Sequence, residues 1–422
     1  MIVRTLDDVE GTDRAVDAPT FVSRRLLLAR DGTDFSLHDT TLHGGTSTTM
    51  EYRHHVEAVY CLSGEGEVED LTTGRCWAVR PGLLYVVDVH ERHELRATTD
   101  LRVLCVFTPP LVGPEVHDRD GVYPRLTPSG AADRYPTRTG AKPVLLPRLD
   151  PVVHDWDGPG PLDTAQLESF ERDGFLHLAG LFSPDEVAAM RGEMLALAGR
   201  PALRDSGRLV IEPAGDVVRS VFEVHRLSEV FGALAADPRL AGPARQLLGS
   251  DVYVQQSRVN YKPGFGGEGF YWHSDFETWH AEDGLPAMRT VSFSIALTDN
   301  LAVNGPLMII PGSHRTFVAC AGETPPDHYR QSLRNQQIGT PDDESLGRLV
   351  EEAGEIRAFT GEAGGVTVFD CNCMHGSGSN ISPHPRSNVF MVYNSVENLP
   401  VEPFAAPARR PPFVAARDFT PV

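Results

Sequence analysis

Cysteine is scarce in this sequence: six residues in 422, at Cys61, Cys76, Cys105, Cys320, Cys371 and Cys373. None forms paired CxxC motifs, and Cys371-Asn-Cys373 has the wrong spacing for a zinc knuckle, so neither a disulfide framework nor structural zinc is indicated. Most are read as small buried apolar side chains. Long apolar runs are missing too. No stretch approaches the ~18 residues of a membrane span. The N-terminal MIVRTLDDVEGTDR lacks the apolar core and small-residue cleavage site of a secretory signal. The expectation is a cytoplasmic protein with no membrane partner. Basic residues are in deficit, 38 Lys+Arg against 58 Asp+Glu, for a net charge of −20. Nucleic-acid binding depends on neutralising phosphates with Lys and Arg, so no nucleic-acid partner is expected. What is present is ordinary globular composition, 41% hydrophobic and 23% charged, long enough for about two or three domains at roughly 150 residues each.

The first part of the chain is rich in short β-type runs: Glu57–Leu62, Gly82–Asp88 and Leu101–Phe107, separated by turn signals at Gly64-Glu-Gly66, Thr73-Gly74 and Pro81-Gly82. Many short strands with regular turns predict a sandwich or barrel. From Arg125 to about Gly160 the sequence turns rich in Pro, Gly and Ser with weak periodicity, which reads as a linker or extended arm. Helices then open the second half. Leu167, Phe170, Gly174 and Phe175 recur at helical spacing, and Ser183-Pro-Asp-Glu186 offers an N-cap, a proline at the first helical position and a capping-box acid ahead of Val187–Ala198. From Asp251 onward strand patterns dominate, at Asp251–Gln255, Val291–Ala296, Gly365–Phe369 and Asn388–Tyr393. The expected boundaries are a first domain at 1–128, a linker at 129–160, a second domain at 161–405 and a C-terminal tail at 406–422. The fold class is mainly β with flanking helices.

Two motifs carry chemistry. In Tyr271-Trp-His-Ser-Asp275, His273 and Asp275 lie two apart, which on a strand puts both on one face. His375 follows 100 residues after Asp275, just beyond the strand ending at Asp370. Two His and one carboxylate make the facial triad of non-haem Fe(II) oxygenases. Arg386, ahead of the strand Asn388–Tyr393, could hold a carboxylate bidentately. In the first half, His54-His-Val-Glu57 precedes Gly64, and Arg80-Pro-Gly82 leads to Tyr85 and His93. His and Glu near one strand with His on a later one is a cupin-like arrangement. His54 and His55 are adjacent, so on a strand they point to opposite faces and cannot both serve one metal without a bulge.

Longer segments make the resemblance specific. The seventeen residues Phe270–Pro286, with Gln256–Pro263, Asn304–Met308, Pro311-Gly-Ser-His314 and Asp370-Cys-Asn372, resemble ectoine hydroxylase of the phytanoyl-CoA-dioxygenase-like superfamily, over roughly Tyr135 to Phe404. Met1–Arg4, Ser23–Leu28, His55–Cys61, Gly64–Val68, Val106-Phe107 and Glu115–Asp118 resemble ectoine synthase, over Met1 to Pro124. The second resemblance implies a cupin β-barrel, and the first a double-stranded β-helix (jelly-roll) dioxygenase core.

For the dioxygenase part, the resemblance implies Fe(II) on His273, Asp275 and His375, and 2-oxoglutarate near Asn260 and Phe270 with its far carboxylate on Arg386. It also implies ectoine between Gln256, Trp279, Ser294, Phe369 and Phe390, where aromatic faces can attract the amidinium. Taken alone, Trp279, Phe369 and Phe390 read as core packing. For the synthase part it implies Fe(II) on Glu57, Tyr85 and His93, and substrate contacts at Arg25, Thr40, Tyr52, Cys105, Phe107, Glu115 and His117. Glu115 or His117 would move protons. Phe21 stands where the synthase family often has Trp.

The two resemblances describe consecutive steps. The expectation is a bifunctional enzyme that condenses N4-acetyl-2,4-diaminobutyrate to ectoine with loss of water. It then hydroxylates ectoine to 5-hydroxyectoine with O2 and 2-oxoglutarate. The partners are small molecules, and a homodimer is expected. The alternatives are a working hydroxylase with an idle osmolyte-binding or dimerising cupin module, or a dioxygenase for a related substrate such as proline.

Overall fold

Ten short antiparallel strands account for nearly all the regular structure of the first part of the chain, in a computed structural model of the protein. The structure describes all residues except 1, 34, 53–54, 89–90, 114, 118–120, 124–132, 139–141, 157, 159, 205, 212–216 and 334–335. Position His54 and the expected boundary at 128/129 lie outside the described residues. The chain divides into two units, Met1–Asp133 and Arg134–Val422.

In the first unit, β1 (Ala15–Ala18), β2 (Phe21–Leu27), β3 (Ser36–Leu42), β5 (Val56–Ser63), β8 (Leu84–Val87) and β10 (Leu101–Thr108) form one sheet, ordered β1-β2-β3-β10-β5-β8. A second sheet holds β4 (Ser47–Met50), β6 (Gly66–Asp70), β7 (Arg75–Val79) and β9 (His93–Ala97), ordered β4-β9-β6-β7. The alternation of β10 explains the packing. Leu101, Val103, Cys105 and Phe107 are buried, while Arg102 and Thr108 are exposed. Those four side chains join Leu42, Met50, Tyr52, Val59 and Leu95 in one apolar core. The result is the expected β-barrel-type unit.

The second unit is built on a seven-stranded antiparallel sheet. It orders β12 (Phe175–Leu178), β21 (Val366–Asp370), β17 (Thr290–Ala296), β23 (Arg386–Ser395), β15 (Val252–Lys262), β14 (Val218–Phe222) and β13 (Leu209–Ile211). A smaller sheet orders β16 (Phe270–His273), β22 (His375–Ser377), β18 (Leu307–Ile309) and β20 (Arg357–Ala358). Helices cover the large sheet. Pro184–Ala198 starts where the capping box predicts, with Ser183 Oγ accepting from the Glu186 amide. Its buried Val187, Met190, Met194 and Leu197 join Leu240, Leu247, Val254 and Phe293 in the main core. Burying such side chains contributes about 1.5–3 kcal/mol each.

Three expectations need correction. The helical reading across Leu167–Phe175 stops early. The helix is Thr164–Asp173, Gly174 takes a left-handed φ of 84° as its C-cap, and Phe175 begins β12. Much of the stretch expected as a linker is part of the second unit. There β11 (Val144–Pro147) pairs with β19 (Thr316–Ala319), and Tyr135 is fully buried beside Phe276 and Phe317. Pro and Gly here shape an irregular packed segment. The expected tail at 406–422 is also docked. Gln256 Nε2 donates to the Val414 carbonyl, the Ala416 amide to Gln255 and the Val422 amide to Val252. Those bonds occupy the part of β15 that β14 does not pair.

Candidate active sites

In the second unit, β16 and β22 pair antiparallel with His273 opposite His375, which brings the two rings to a centroid distance of 4.3 Å. Asp275 reaches the same point by another route than the one expected. It is not on the strand with His273 but is the first residue of the helical turn Asp275–Thr278, capped by Ser274. The turn of chain at Ser274, not strand alternation, aims the carboxylate. His273 Nε2 lies 3.9 Å from Asp275 Oδ1, and His375 Nε2 lies 3.9 Å from Asp275 Oδ2. One ligand atom from each of the three lies within 4.8 Å of the others.

Each imidazole donates its Nδ1–H to a backbone carbonyl, His273 to Tyr271 at 2.7 Å and His375 to Cys373 at 3.0 Å. That leaves both Nε2 lone pairs pointed at the shared space, as in metal-binding histidines whose other ring nitrogen is held by a carbonyl. Burial, then the nearby His375, pushes His273 down to about 4, so it is neutral. Burial works against the Asp275 charge, but His375, Arg258 and His273 hold it below the usual carboxylate range. Two imidazoles and a carboxylate suit a divalent transition metal with open positions.

The triad opens into a cavity. Gln256, Asn260, Phe270, Trp279, Arg386 and Phe390 all line it. Arg386 is buried, donates to the Gly305 carbonyl at 2.9 Å and to Asn300 Oδ1 at 3.3 Å, and pairs with no carboxylate among the described residues. Burial alone pushes it down to about 10. Asn260 accepts from Ser220, and Gln256 is tied to Val414 and Arg258. Ser294 and Phe369 do not line the cavity. Ser294 Oγ accepts from Asn388, and Phe369 packs behind His375 at a ring distance of 4.9 Å. The side chain on β17 that reaches the triad is Ser292, 3.3 Å from Asp275 Oδ2.

Several cavity residues escaped the sequence reading: Arg219, Arg258, Lys262 and Arg410. Arg219 stacks over Phe270 at 4.0 Å and Arg258 over Phe390 at 4.6 Å. A signal existed for two of them. Gln256, Arg258, Asn260 and Lys262 alternate along β15 and share one face. Trp279 begins a π-helical turn, Trp279–Asp283, whose acids are matched below the surface. Arg138 pairs with Glu277 (2.8 Å) and Glu282 (2.6 Å), and Arg410 with Asp283.

In the first unit, Glu57 on β5 and Tyr85 on β8 line a small cavity. The pairing of Val59 with Tyr85 and Glu57 with Val87 makes them diagonal neighbours. His93 opens β9; it does not line that cavity, but its ring lies 6.4 Å from Tyr85 and 6.0 Å from Tyr52. The Tyr85 hydroxyl and His93 Nε2 are both buried without a hydrogen-bond partner among the described residues. His93 Nδ1 donates to the Glu91 carbonyl at 3.1 Å, leaving the Nε2 lone pair available. Burial pushes Glu57 up to about 7, against hydrogen bonds from Cys105 and Tyr52. The buried phenol and imidazole nitrogen without partners among the described residues carry a desolvation cost that a bound cation would offset.

Thr40, Tyr52, Cys105, Phe107 and His117 line this cavity, as does Phe21. Arg25 and Glu115 do not: they form a fully buried pair behind it. Glu115 is therefore not the cavity-facing group that the resemblance implies. His117 stacks flat on Tyr123 at 4.1 Å, with Nε2 3.2 Å from the Tyr52 hydroxyl. Tyr123 and His38 also line it and were not anticipated.

Residues 170–388 match the phytanoyl-CoA dioxygenase family, and residues 1–127 match the ectoine synthase family. The ectoine dioxygenase of Streptomyces coelicolor is 60% identical over 299 residues, covering 70% of this chain and 99% of that protein. A crystal structure of EctD from S. alaskensis with 2-oxoglutarate and 5-hydroxyectoine is 48% identical, with a TM-score of 0.61 over 69% of this chain and 96% of that one. A crystal structure of ectoine synthase from P. lautus is 50% identical over 29% of this chain and 87% of that one, with a TM-score of 0.27. The chain thus belongs to the phytanoyl-CoA dioxygenase family, in its ectoine dioxygenase branch, and carries an ectoine synthase domain ahead of it in the same polypeptide.

Proposed function

We propose that this polypeptide catalyses two consecutive reactions of compatible-solute synthesis. The unit Met1–Asp133 cyclises N4-acetyl-2,4-diaminobutyrate to ectoine with loss of water. The unit Arg134–Val422 hydroxylates ectoine to 5-hydroxyectoine with 2-oxoglutarate and O2. The observation that carries this reading is that each unit has its own cavity with its own set of metal-fit donors.

In the hydroxylase, Fe(II) held by His273, Asp275 and His375 supplies the oxidising chemistry that couples 2-oxoglutarate decarboxylation to C–H hydroxylation. The chain's own residues bind and orient. Arg386, buried and without a carboxylate partner among the described residues, receives the distal carboxylate of 2-oxoglutarate, with Asn260 and Phe270 beside it. Trp279 and Phe390 offer ring faces to the ectoine amidinium, and Gln256 orients its polar edge. Ser294 and Phe369 act from behind, by holding Asn388 and the His375 ring.

In the synthase, Fe(II) on Glu57, Tyr85 and His93 supplies a Lewis acid for the amide carbonyl. Thr40, Tyr52, Cys105, Phe107 and His117 shape the cavity around the substrate. Arg25 and Glu115 fix the wall behind it. The resemblance also supports a cytoplasmic homodimer, and no helix of the described residues is long and apolar enough to cross a membrane. Tyr60, Leu84 and Val86, exposed on the outer face of β5 and β8, suit a subunit contact.

Purified protein given Fe(II), 2-oxoglutarate, O2 and the acetylated precursor is expected to release 5-hydroxyectoine. Hydroxylation of supplied ectoine without cyclisation of the precursor would mark the first unit as idle. Faster turnover of proline than of ectoine would reassign the substrate.

A further inference from the structure

His38 is a cavity imidazole of the first unit for which the reading above provides no role. It lies on β3, is 1% exposed, and its Nε2 has no hydrogen-bond partner among the described residues. It lines the cavity together with Glu57 and Tyr85. The strand register sets it opposite Cys105, with β10 between it and the strand that carries Glu57. Phe107 packs against its ring at 5.1 Å and 43°, which limits rotation. An imidazole nitrogen buried without a partner is destabilising, and a ligand group in the cavity would remove that cost.

The groups expected to move protons are committed elsewhere. The Glu115 carboxylate accepts from the Val112 amide (2.5 Å), the Gly113 amide (2.7 Å) and Arg25 (3.1 Å), outside the cavity lining. His117 faces the Tyr52 hydroxyl and is stacked on Tyr123. Burial, with Arg25 and His55 nearby, holds His38 well below the ordinary histidine range, so the ring is neutral and its lone pair is available before substrate arrives.

We propose that His38 Nε2 carries the proton of the cyclisation, taking it from the α-ammonium of the substrate and returning it to the hydroxyl that leaves as water. This rests on the synthase reading of the first unit. The ammonium nitrogen starts with three protons. One passes to His38, and the freed lone pair forms the new C–N bond while the carbonyl π pair moves onto oxygen. A second proton of that nitrogen passes to the oxygen, giving a hydroxyl. His38 returns the first proton, the C–O bond breaks with its electron pair on departing water, and a nitrogen lone pair closes the amidinium. Protons, charge and electrons balance, and no oxidant or reductant is required.

The test is His38→Gln in the full chain, which keeps a polar side chain but cannot carry a proton. Losing a general acid–base lowers kcat about 100-fold or more, with KM for the acetylated precursor within about 3-fold. Metal content, thermal stability and hydroxylation of supplied ectoine should stay at wild-type values. A kcat within about 3-fold of wild type, or a loss confined to KM, overturns the proposal. If the Gln variant loses its metal or fold, the smaller His38→Asn is judged by the same measures. Cyclisation by the unaltered protein that runs equally fast in D2O also overturns it. Wild-type protein that makes no ectoine at all overturns the synthase reading and this inference together.

Discussion

Arg386 sits buried on the Gly305 carbonyl and the Asn300 amide, and burial is the whole cause of its lowered pKa. A guanidinium kept dry without a carboxylate is a site waiting for an anion. Arg386→Gln is expected to raise the 2-oxoglutarate KM at least about 10-fold, since a charge-assisted pair contributes roughly 1.5–3 kcal/mol. Steady-state decarboxylation assays read this directly. In the first unit, Tyr85→Phe deletes a buried hydroxyl that has no hydrogen-bond partner among the described residues. The variant should therefore fold as well as wild type yet bind less metal and cyclise more slowly. Unchanged metal content and rate would remove Tyr85 from the ligand set. His225 gives a pH prediction away from both donor sets. Burial, then Arg226, pushes it down to about 4, against about 6.5 in the unfolded chain. Between those values the unfolded state binds the extra proton. Stability is thus flat above pH 6.5 and falls as pH drops toward 4. A Tm lower by about 4 °C or more at pH 5 than at pH 7 is expected, and His225→Gln should flatten part of that slope.

At the scale of elements, the segment from β16 to the π-helical turn sets the hydroxylase geometry. His273 closes the strand, Ser274 caps the next turn, Asp275 opens it and Trp279 follows in the wider turn. Gly284 ends the segment at a φ of 82°, and a Cβ there would run into the Val401 carbonyl. Gly284→Ala should therefore displace the turn, lowering both hydroxylation and the thermal stability of this unit while cyclisation persists. The helix Pro184–Ala198 is a milder case. Ser183→Ala removes its cap and should cost about 1 kcal/mol, seen as a shift in the denaturant midpoint with catalysis unchanged. On β15 the alternation is functional: Gln256, Arg258, Asn260 and Lys262 line the cavity, while Val259 joins the core on the other face.

For the whole molecule, the relevant fact is that each unit has its own apolar core and its own cavity. His273→Ala should abolish hydroxylation and leave cyclisation intact, so that ectoine accumulates from the acetylated precursor. Product analysis by chromatography decides this, and loss of both activities in a folded variant would falsify the assignment of separate sites. Against a net charge of −20 for the whole sequence, the Arg residues of the second cavity form an internal basic patch suited to carboxylate-bearing substrates.

The sequence by itself determined the two-part organisation, the β-rich character of both parts and the identity of His273, Asp275, His375 and Arg386. These are carried by local signals: strand-length apolar alternation, turn residues, and a motif whose members lie within a few residues of a strand end. It also carried the cap at Ser183, because capping is a contact between residues three apart. Only the tertiary structure decided that Asp275 arrives on a helical turn, that Tyr135, the strand Val144–Pro147 and the last residues are packed rather than loose, and that Ser294 and Phe369 stand outside the cavity. It alone separated Glu115, locked onto Arg25, from His38, left open in the cavity. Those outcomes depend on which side chains meet across strands distant in the chain. A residue's own neighbours in sequence do not encode whether its polar atoms find a partner inside the fold, and that decides which ones remain for chemistry.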